Sequence, residues 1–450
     1  MDYKKLSVAA LIALGSSMVF AQDAEIATWA GFRKAAVSFT FDDGPQSDVD
    51  VALPMFEKYG YKATFNIVTN WANGGGNNGM LNWSGVQKLS AAGHEIASHS
   101  DSHPNGKPMP SNEISSSKGT ISQKIQQKYG VVTLAYPNCD TPGDAQVLQN
   151  YVVGRICNGS WKGGSDIMGK DGPSNWAAVS ALMTGNQGTS DFKGNMDKAV
   201  QQGGWVAFLT HGFQNKTNGF ADYSPTDANG MDGALQYAQQ KDKDIWVAPM
   251  GYVAMYIKER NASKIEPQDG GAANSMAFEL KHSIADNISK YDYPLSIKVK
   301  TDWSKVEVTQ DGAKLESKVD GGYVYFDAVP NAGKIVVTNA NAAPEPESSS
   351  SSNVESSSSE FLCDALIPGC GDNPWAIAPE IQDNFHFAVY RSSDNYIVVS
   401  GAQGHEITVF NSLGHKLRTT RGLGAEQKVY TGAKGVYIVK VGNKTRKVRL

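Results

Sequence analysis

Strong net charge, cysteine and long apolar runs are all scarce in this 450-residue sequence. A formal net charge of -4 gives no reason to expect nucleic acid as a partner. No stretch beyond the first 20 residues approaches the 18 apolar residues of a membrane-spanning helix, so no span is expected in the mature protein. The four cysteines fall in two local pairs, Cys139 with Cys157 and Cys363 with Cys370. A long linker separates the pairs and they lack the short spacings of a cysteine zinc site. The N-terminus accounts for the other scarcities. Lys4 and Lys5 precede an apolar run from Val8 to Phe20, and Val19-Phe20-Ala21 places small residues for cleavage after Ala21. This reads as a secretory signal peptide over 1–21, with a secreted, extracellular or cell-surface product. Export permits disulfides, and one within each pair is the expected arrangement.

What is present is a β-α alternation. The chain exceeds the length of a single core, and 40% hydrophobic with 19% charged residues is a globular balance. Between about residues 30 and 260, strand candidates at 35–41, 62–68, 94–98, 131–135, 152–156, 205–210 and 245–248 alternate with helical segments. Ser47–Asp50 reads as a capping box for a helix ended by Gly60, Ser84 as the cap of a short helix, and 111–129 as a longer one. Seven strands in that pattern suit an incomplete (β/α) barrel in a domain over 22–262. Residues 265–340 hold short alternating strands, including Leu295–Lys300, Lys305–Thr309, Tyr323–Phe326 and Ile335–Thr338, and read as a small β-sandwich module. Its role is open between carbohydrate binding and structural support. The Pro-Glu-Pro-Glu and serine tracts place a linker over 341–375, and a terminal all-β segment covers 385–450. Residues 401–450 carry ten Lys or Arg against two Glu, a solvated face or a site for an anionic polymer.

Chemistry collects at strand ends. Ser38-Phe39-Thr40-Phe41 runs into Asp42-Asp43 and then Gly44-Pro45, which cannot continue a strand. The carboxyl ends of parallel strands are where ligands bind, although Asp-Asp-Gly-Pro also reads as a solvated turn. Adjacent side chains on extended backbone point apart, so the two carboxylates should do different work. His99-Ser100-Asp101-Ser102-His103 follows another strand. Two imidazoles and one carboxylate, with positions left for water, make an open metal site suited to hydrolysis. Leu209-Thr210-His211 and Leu134-Ala135-Tyr136-Pro137-Asn138 end two further strands at the same face.

Thr40–Pro45, His99-Ser100-x-x-His103-Pro104 and Leu209-Thr210-His211, with Gly93–His99 between, resemble the NodB-type polysaccharide deacetylases, carbohydrate esterase family 4. The resemblance spans about 35–250. It implies a distorted (β/α)7 barrel and metal-dependent removal of acetyl groups from a carbohydrate. Carried over by position, Asp42 is the general base, and Asp43, His99 and His103 hold a divalent metal ion, zinc in the first instance. His211 is the general acid, and the Asn138 N–H helps to hold the oxyanion. Two departures follow. In the third motif the arginine usual two residues before the proline and the aromatic usual after it are replaced by Ala135 and Asn138. The fourth motif, an Asp pair with Trp that orients the catalytic histidine, is echoed only weakly by Asp171 to Asn175-Trp176, which assigns neither Asp166 nor Asp171. The implied partner is an acetylated polysaccharide, with O-acetyl groups of plant polymers such as acetylxylan favoured over N-acetyl groups of chitin or peptidoglycan. A carbohydrate-binding protein without turnover and another metallohydrolase on a similar barrel are the competing readings. Residues 385–450, with Ile407–Asn411 and Gly435–Val441, resemble the sorting domain of type IX secretion substrates, which implies the secretion machinery as a second partner.

Overall fold

The computed structural model describes residues 24–341 apart from 76–78, 106–108, 142, 163–164, 186–188, 271–273 and 287, together with chiefly the strand segments of 388–449. The signal segment, the serine-rich linker and the Cys363–Cys370 pair lie outside the described residues. The chain forms two compact units, Met1–Ser348 and Ser349–Leu450.

Seven parallel strands close into a barrel in the first unit: β1 (Ala35–Asp43), β2 (Thr64–Ile67), β3 (Glu95–Ser98), β4 (Thr133–Ala135), β5 (Val153–Cys157), β6 (Val179–Met183) and β7 (Trp205–Thr210). Closure comes from β1 against β7, with Ala36 opposite Trp205 through Phe41 opposite Thr210. On its other edge β1 meets β2 only over Thr40–Asp43, and Ile245–Val247 fills the lower part opposite Ala35–Val37. The barrel is thus distorted at its base and complete at its carboxyl end, where the motifs lie. Every residue of β1 is buried, and Phe39 and Phe41 pack on Phe56, Phe65 and Phe208.

Two sequence expectations change here. Val179–Met183 is a barrel strand that the sequence did not announce, because Ala, Leu and Met favour helix and tertiary pairing overrides them. Ile245–Val247 is a strand but stands outside the closed ring. Helix starts also differ. Ser47 makes no capping bond, and its hydroxyl donates instead to Asn218 Oδ1 at 2.8 Å. A wide turn, Asp48–Ala52, then leads into helix Leu53–Tyr59, which stops at left-handed Gly60 as expected. Asn82, not Ser84, caps helix Trp83–Ala91 by accepting from Gly85 N–H. The longer helix runs over Ser111–Lys124 and ends before extended Ile125.

The sandwich consists of two antiparallel sheets. One is Lys264–Gln268, Ser275–Lys281, Lys334–Asn339, Val306–Gln310 and Ala313–Leu315 in spatial order. The other places Ala24–Ile26 beside Leu295–Lys300, Tyr323–Ala328 and Ser317–Asp320. The strand that precedes the barrel therefore belongs to the sandwich sheet. One apolar cluster runs from Trp205, Trp246 and helix Met250–Ala262 into Ile297, Val299, Val324 and Phe326. Barrel and sandwich share that core. Beneath the site, buried Glu95 accepts from Thr64 Oγ1 (2.7 Å), Thr133 Oγ1 (2.6 Å) and Gly251 N–H (3.0 Å). It ties β2 and β4 to a helix N-terminus, where a carboxylate is favoured. A Cβ on Gly251 would lie 2.2 Å from Glu95 Oε1, so the contact requires glycine.

The second unit contains a three-stranded and a four-stranded antiparallel sheet over Ala388–Arg449. Ile397, Val399, Ile407, Val409, Val439 and Val441 form its core.

Candidate metal and catalytic site

The carboxyl end of the barrel opens into a cavity of about 470 Å³ whose lining includes Asp42, Asp43, His99, His103, Asn138 and His211. All six residues singled out in the sequence meet there. The loops that carry them are held in unusual backbone conformations. Asp43 (φ 76°), Ser100 (φ 68°), His103 (φ 53°), Asn138 (φ 54°) and Cys139 (φ 64°) are all left-handed without being glycine. Each such position costs about 1–3 kcal/mol and persists only where surrounding contacts dictate it.

Those contacts are present. The Glu113 carboxylate, in the first turn of helix Ser111–Lys124, accepts from Asp101 N–H (2.7 Å), Ser102 N–H (2.8 Å) and Ser102 Oγ (2.7 Å). Thr69 Oγ1 donates to Asp101, and His103 N–H donates to Ser100 Oγ at 3.0 Å. The His99–His103 turn is thereby wrapped around one carboxylate. The third motif forms a single turn over Pro137–Cys139, with Cys139 joined to Cys157 in a disulfide as expected and Asn138 Nδ2 donating to Pro104 O at 3.1 Å. The loops after β3 and β4 are thus linked to each other and to β5.

Asp43 Oδ1 lies 3.4 Å from His99 Nε2 and 3.6 Å from His103 Nε2, and the three ligand atoms all fall within 4.8 Å of one another. Asp43 Oδ1 is buried without a hydrogen-bond partner. His99 Nδ1 is 2.9 Å from Ala135 O, so that nitrogen carries the hydrogen and Nε2 presents its lone pair inward. Burial disfavours a charged His99 ring, yet the nearby charges of Asp42 and then Asp43 outweigh it and raise its pKa. Two buried carboxylates thus call for a positive charge at this point. An orphaned carboxylate oxygen and two convergent imidazoles fit a divalent cation.

Asp42 is held apart from that set. Asn66 Nδ2 donates to its Oδ1 at 2.9 Å, and Arg155 donates to its Oδ2 at 2.5 Å. Burial pushes the carboxyl up, but Arg155, then His99, His211 and Asn66, outweigh burial and leave it at about 2. Asp42 is therefore a fixed anion. Neither partner was anticipated from sequence. Arg155 sits directly opposite Ala135 in the β4–β5 register, so the guanidinium missing from the third motif is supplied from the next strand at the same level. An arginine inside the apolar run Val152–Ile156 was the available signal, because a buried charge requires a partner.

His211 follows β7 and stands edge-on to Tyr223, with ring centroids 5.5 Å apart. Its Nδ1 is buried without a partner among the described residues, and burial lowers its pKa against the pull of Asp42 and Asp43. Neither echo of the orienting aspartate supplies a partner. Asp166 accepts from Ser180 Oγ at 2.7 Å, and Asp171 pairs with Lys170 at the surface. Among the tryptophans, Trp71 reaches the cavity and stacks on His103 at 5.3 Å, whereas Trp83 bonds Asn73 and Trp176 lies under Lys258.

Residues 30–151 match the polysaccharide deacetylase family model. Among curated proteins, a bifunctional xylanase/deacetylase from Pseudobutyrivibrio xylanivorans is 32% identical over 125 residues, 28% of this chain and 19% of that protein. A gellan lyase from a Bacillus species is 25% identical over 371 residues, 78% of this chain and 14% of that protein. The chain thus spans under a fifth of the length of either relative. Among solved structures, the Xyl-CE4 domain of a multidomain xylanase from the hindgut metagenome of Trinervitermes trinervoides aligns with a TM-score of 0.31 and 17% identity, covering 47% of this chain and 87% of that one. No helix among the described residues is long and apolar enough to cross a membrane.

Proposed function

Given that the chain carries a NodB-type polysaccharide deacetylase domain, we propose that it hydrolyses acetyl groups from an external polysaccharide with the help of a divalent cation, zinc in the first instance. Asp43, His99 and His103 hold that ion. When bound, it supplies Lewis acidity toward the acetyl carbonyl and lowers the pKa of water. Asp42, kept anionic beside the ligands but bonded to Arg155 and Asn66, takes the proton from the attacking water. Asn138, on its left-handed turn at the cavity wall, contributes an N–H to the developing oxyanion. His211, across the cavity, returns a proton to the departing oxygen or nitrogen. The observation that carries this reading is the division of two adjacent aspartates: one carboxylate oxygen is orphaned between two imidazoles, and the other side chain is fixed by a guanidinium.

We favour O-acetyl groups of a plant polymer such as acetylxylan as the first substrate, in keeping with a relative whose name joins a xylanase to a deacetylase. Acetate release from acetylxylan, chitooligosaccharide and peptidoglycan, measured side by side, tests this. Highest kcat/KM on chitooligosaccharide or peptidoglycan would move the reading to N-acetyl groups, and no release from any would leave a non-catalytic carbohydrate binder. The split of roles is tested by metal analysis. Asp42→Asn should keep one zinc per chain while losing turnover, and His99→Ala and His103→Ala should lose both. An Asp42→Asn protein without zinc would overturn the assignment. Export, with cleavage after Ala21 and the basic C-terminal strands as the sorting domain, belongs to the same proposal. N-terminal sequencing of exported protein should begin at Gln22.

A further inference from the structure

Phe220 and Tyr223 are 60% and 65% exposed, and no other large hydrophobic side chain among the described residues of Met1–Ser348 is so open. Both line the catalytic cavity. Phe220 stands 5.0 Å from Trp71, which stacks in turn on His103, and Tyr223 stands against His211. One aromatic wall therefore rises beside a metal-ligand histidine and the other beside the histidine across the cavity.

The loop that presents them is built for the purpose. Gly212 N–H donates to Ala221 O (2.9 Å), Gln214 N–H to Thr226 O (3.0 Å) and Thr226 N–H to Gly212 O (2.8 Å). Asn218 sits at its centre. Its Oδ1 accepts from Phe213 N–H and Ser47 Oγ, and its Nδ2 donates to Phe213 O and Asp222 Oδ1. A Cβ on Gly212 would lie 2.2 Å from Asn218, so the loop closes only around glycine. Keeping two aromatic faces in water costs hydrophobic free energy that burying them in the adjacent core would recover. A rigid loop that withholds them from the core indicates a ligand with flat apolar faces. Among the described residues the cavity lining carries no lysine or arginine, the side chains that would pair with the charges of a polyanion.

We propose that Phe220 and Tyr223 are specificity-determining residues that stack on the pyranose rings flanking the acetylated residue, so that the site takes the interior of an uncharged polysaccharide. This rests on the deacetylase reading, and the test separates the two. Native electrophoresis through gels containing soluble xylan, glycol chitin or polygalacturonate reads binding without turnover. The unaltered chain should be retarded by xylan or glycol chitin and not by polygalacturonate. Phe220→Leu/Tyr223→Leu keeps apolar bulk without a flat ring and should weaken retardation roughly tenfold or more. Phe220→Trp/Tyr223→Trp should retain it, and thermal melts of all three proteins establish that each is folded. Equal retardation of the Leu pair, stronger retardation by polygalacturonate, or no retardation by any polymer would overturn the proposal. Acetate release by the same preparations decides the deacetylase reading separately: binding without release sinks that reading and leaves the aromatic walls standing.

Discussion

Replacing Arg155 by glutamine removes a charge and keeps a hydrogen-bonding side chain of similar reach, which isolates what the guanidinium does for Asp42. The pair is buried on both sides, with 1% and 3% of the side chains exposed, so solvent screens it little. An opposite charge at contact lowers a carboxyl by about 1–3 units, and each unit is about 1.4 kcal/mol. The coupling between the two side chains should then be about 1.5–4 kcal/mol. Urea unfolding of metal-free protein at pH 7 for the unaltered chain, Arg155→Gln, Asp42→Asn and the double variant measures it as a cycle. Arg155→Gln alone should cost about 3–5 kcal/mol, because it strands a buried anion, and distinctly less when Asp42 is already neutral. Turnover follows the same logic. General-base catalysis contributes about 10²–10⁴-fold, so the metal-loaded Arg155→Gln protein should fall between the unaltered chain and Asp42→Asn. It should subtract little further from Asp42→Asn. A coupling below about 0.5 kcal/mol, or full turnover in Arg155→Gln, would refute the idea that the guanidinium positions the base.

Further expectations follow from other contacts. Asn66→Ala deprives Asp42 Oδ1 of its donor and should cost about 1–3 kcal/mol in stability and lower kcat while zinc stoichiometry holds. The Cys139–Cys157 bridge closes a separation of 18 residues. Removing it in Cys139→Ser/Cys157→Ser should cost about 3 kcal/mol, and alkylation with intact mass before and after reduction should show two fewer reduction-released thiols in that variant than in the unaltered chain. Burial lifts Glu259, between the barrel helix and the sandwich, from 4.5 to about 8, against the bonds from Tyr293 N–H. A raised folded-state pKa means that the folded chain binds the extra proton, so stability falls as pH rises between 4.5 and about 8. Glu259→Gln should therefore gain on the unaltered chain by about 1.4 kcal/mol per pH unit across that window, read from unfolding curves at pH 5, 6.5 and 8. A pH-independent difference would place the proton elsewhere.

The parts of the site that were legible in the sequence are those in which chemistry is written locally. Asp42-Asp43 ends a strand at Gly44-Pro45, His99 and His103 share one turn, and His211 closes a β-prone run, so each announces its own place at the carboxyl end of a parallel sheet. Parts that depend on what a neighbouring strand delivers were not legible. Val179–Met183 has the composition of a helix and is a strand because β5 and β7 leave a gap that a parallel strand must fill. Ala24–Ile26 is too short to register alone and acquires meaning only by pairing with Leu295–Lys300, on the far side of the barrel in sequence, Ala24 opposite Val299 and Ile26 opposite Ile297. Arg155 combines both difficulties. Position 135 holds alanine, so a reading along the chain finds the guanidinium absent, whereas across the barrel Ala135 faces Arg155 in register. What the buried Asp42 carboxylate requires is a positive charge at one height of the barrel wall, and either of two adjacent strands can reach that height. The constraint is spatial rather than local to the motif. The buried arginine in β5 and the alanine in β4 are then one feature, and the Arg155–Asp42 cycle measures it as such.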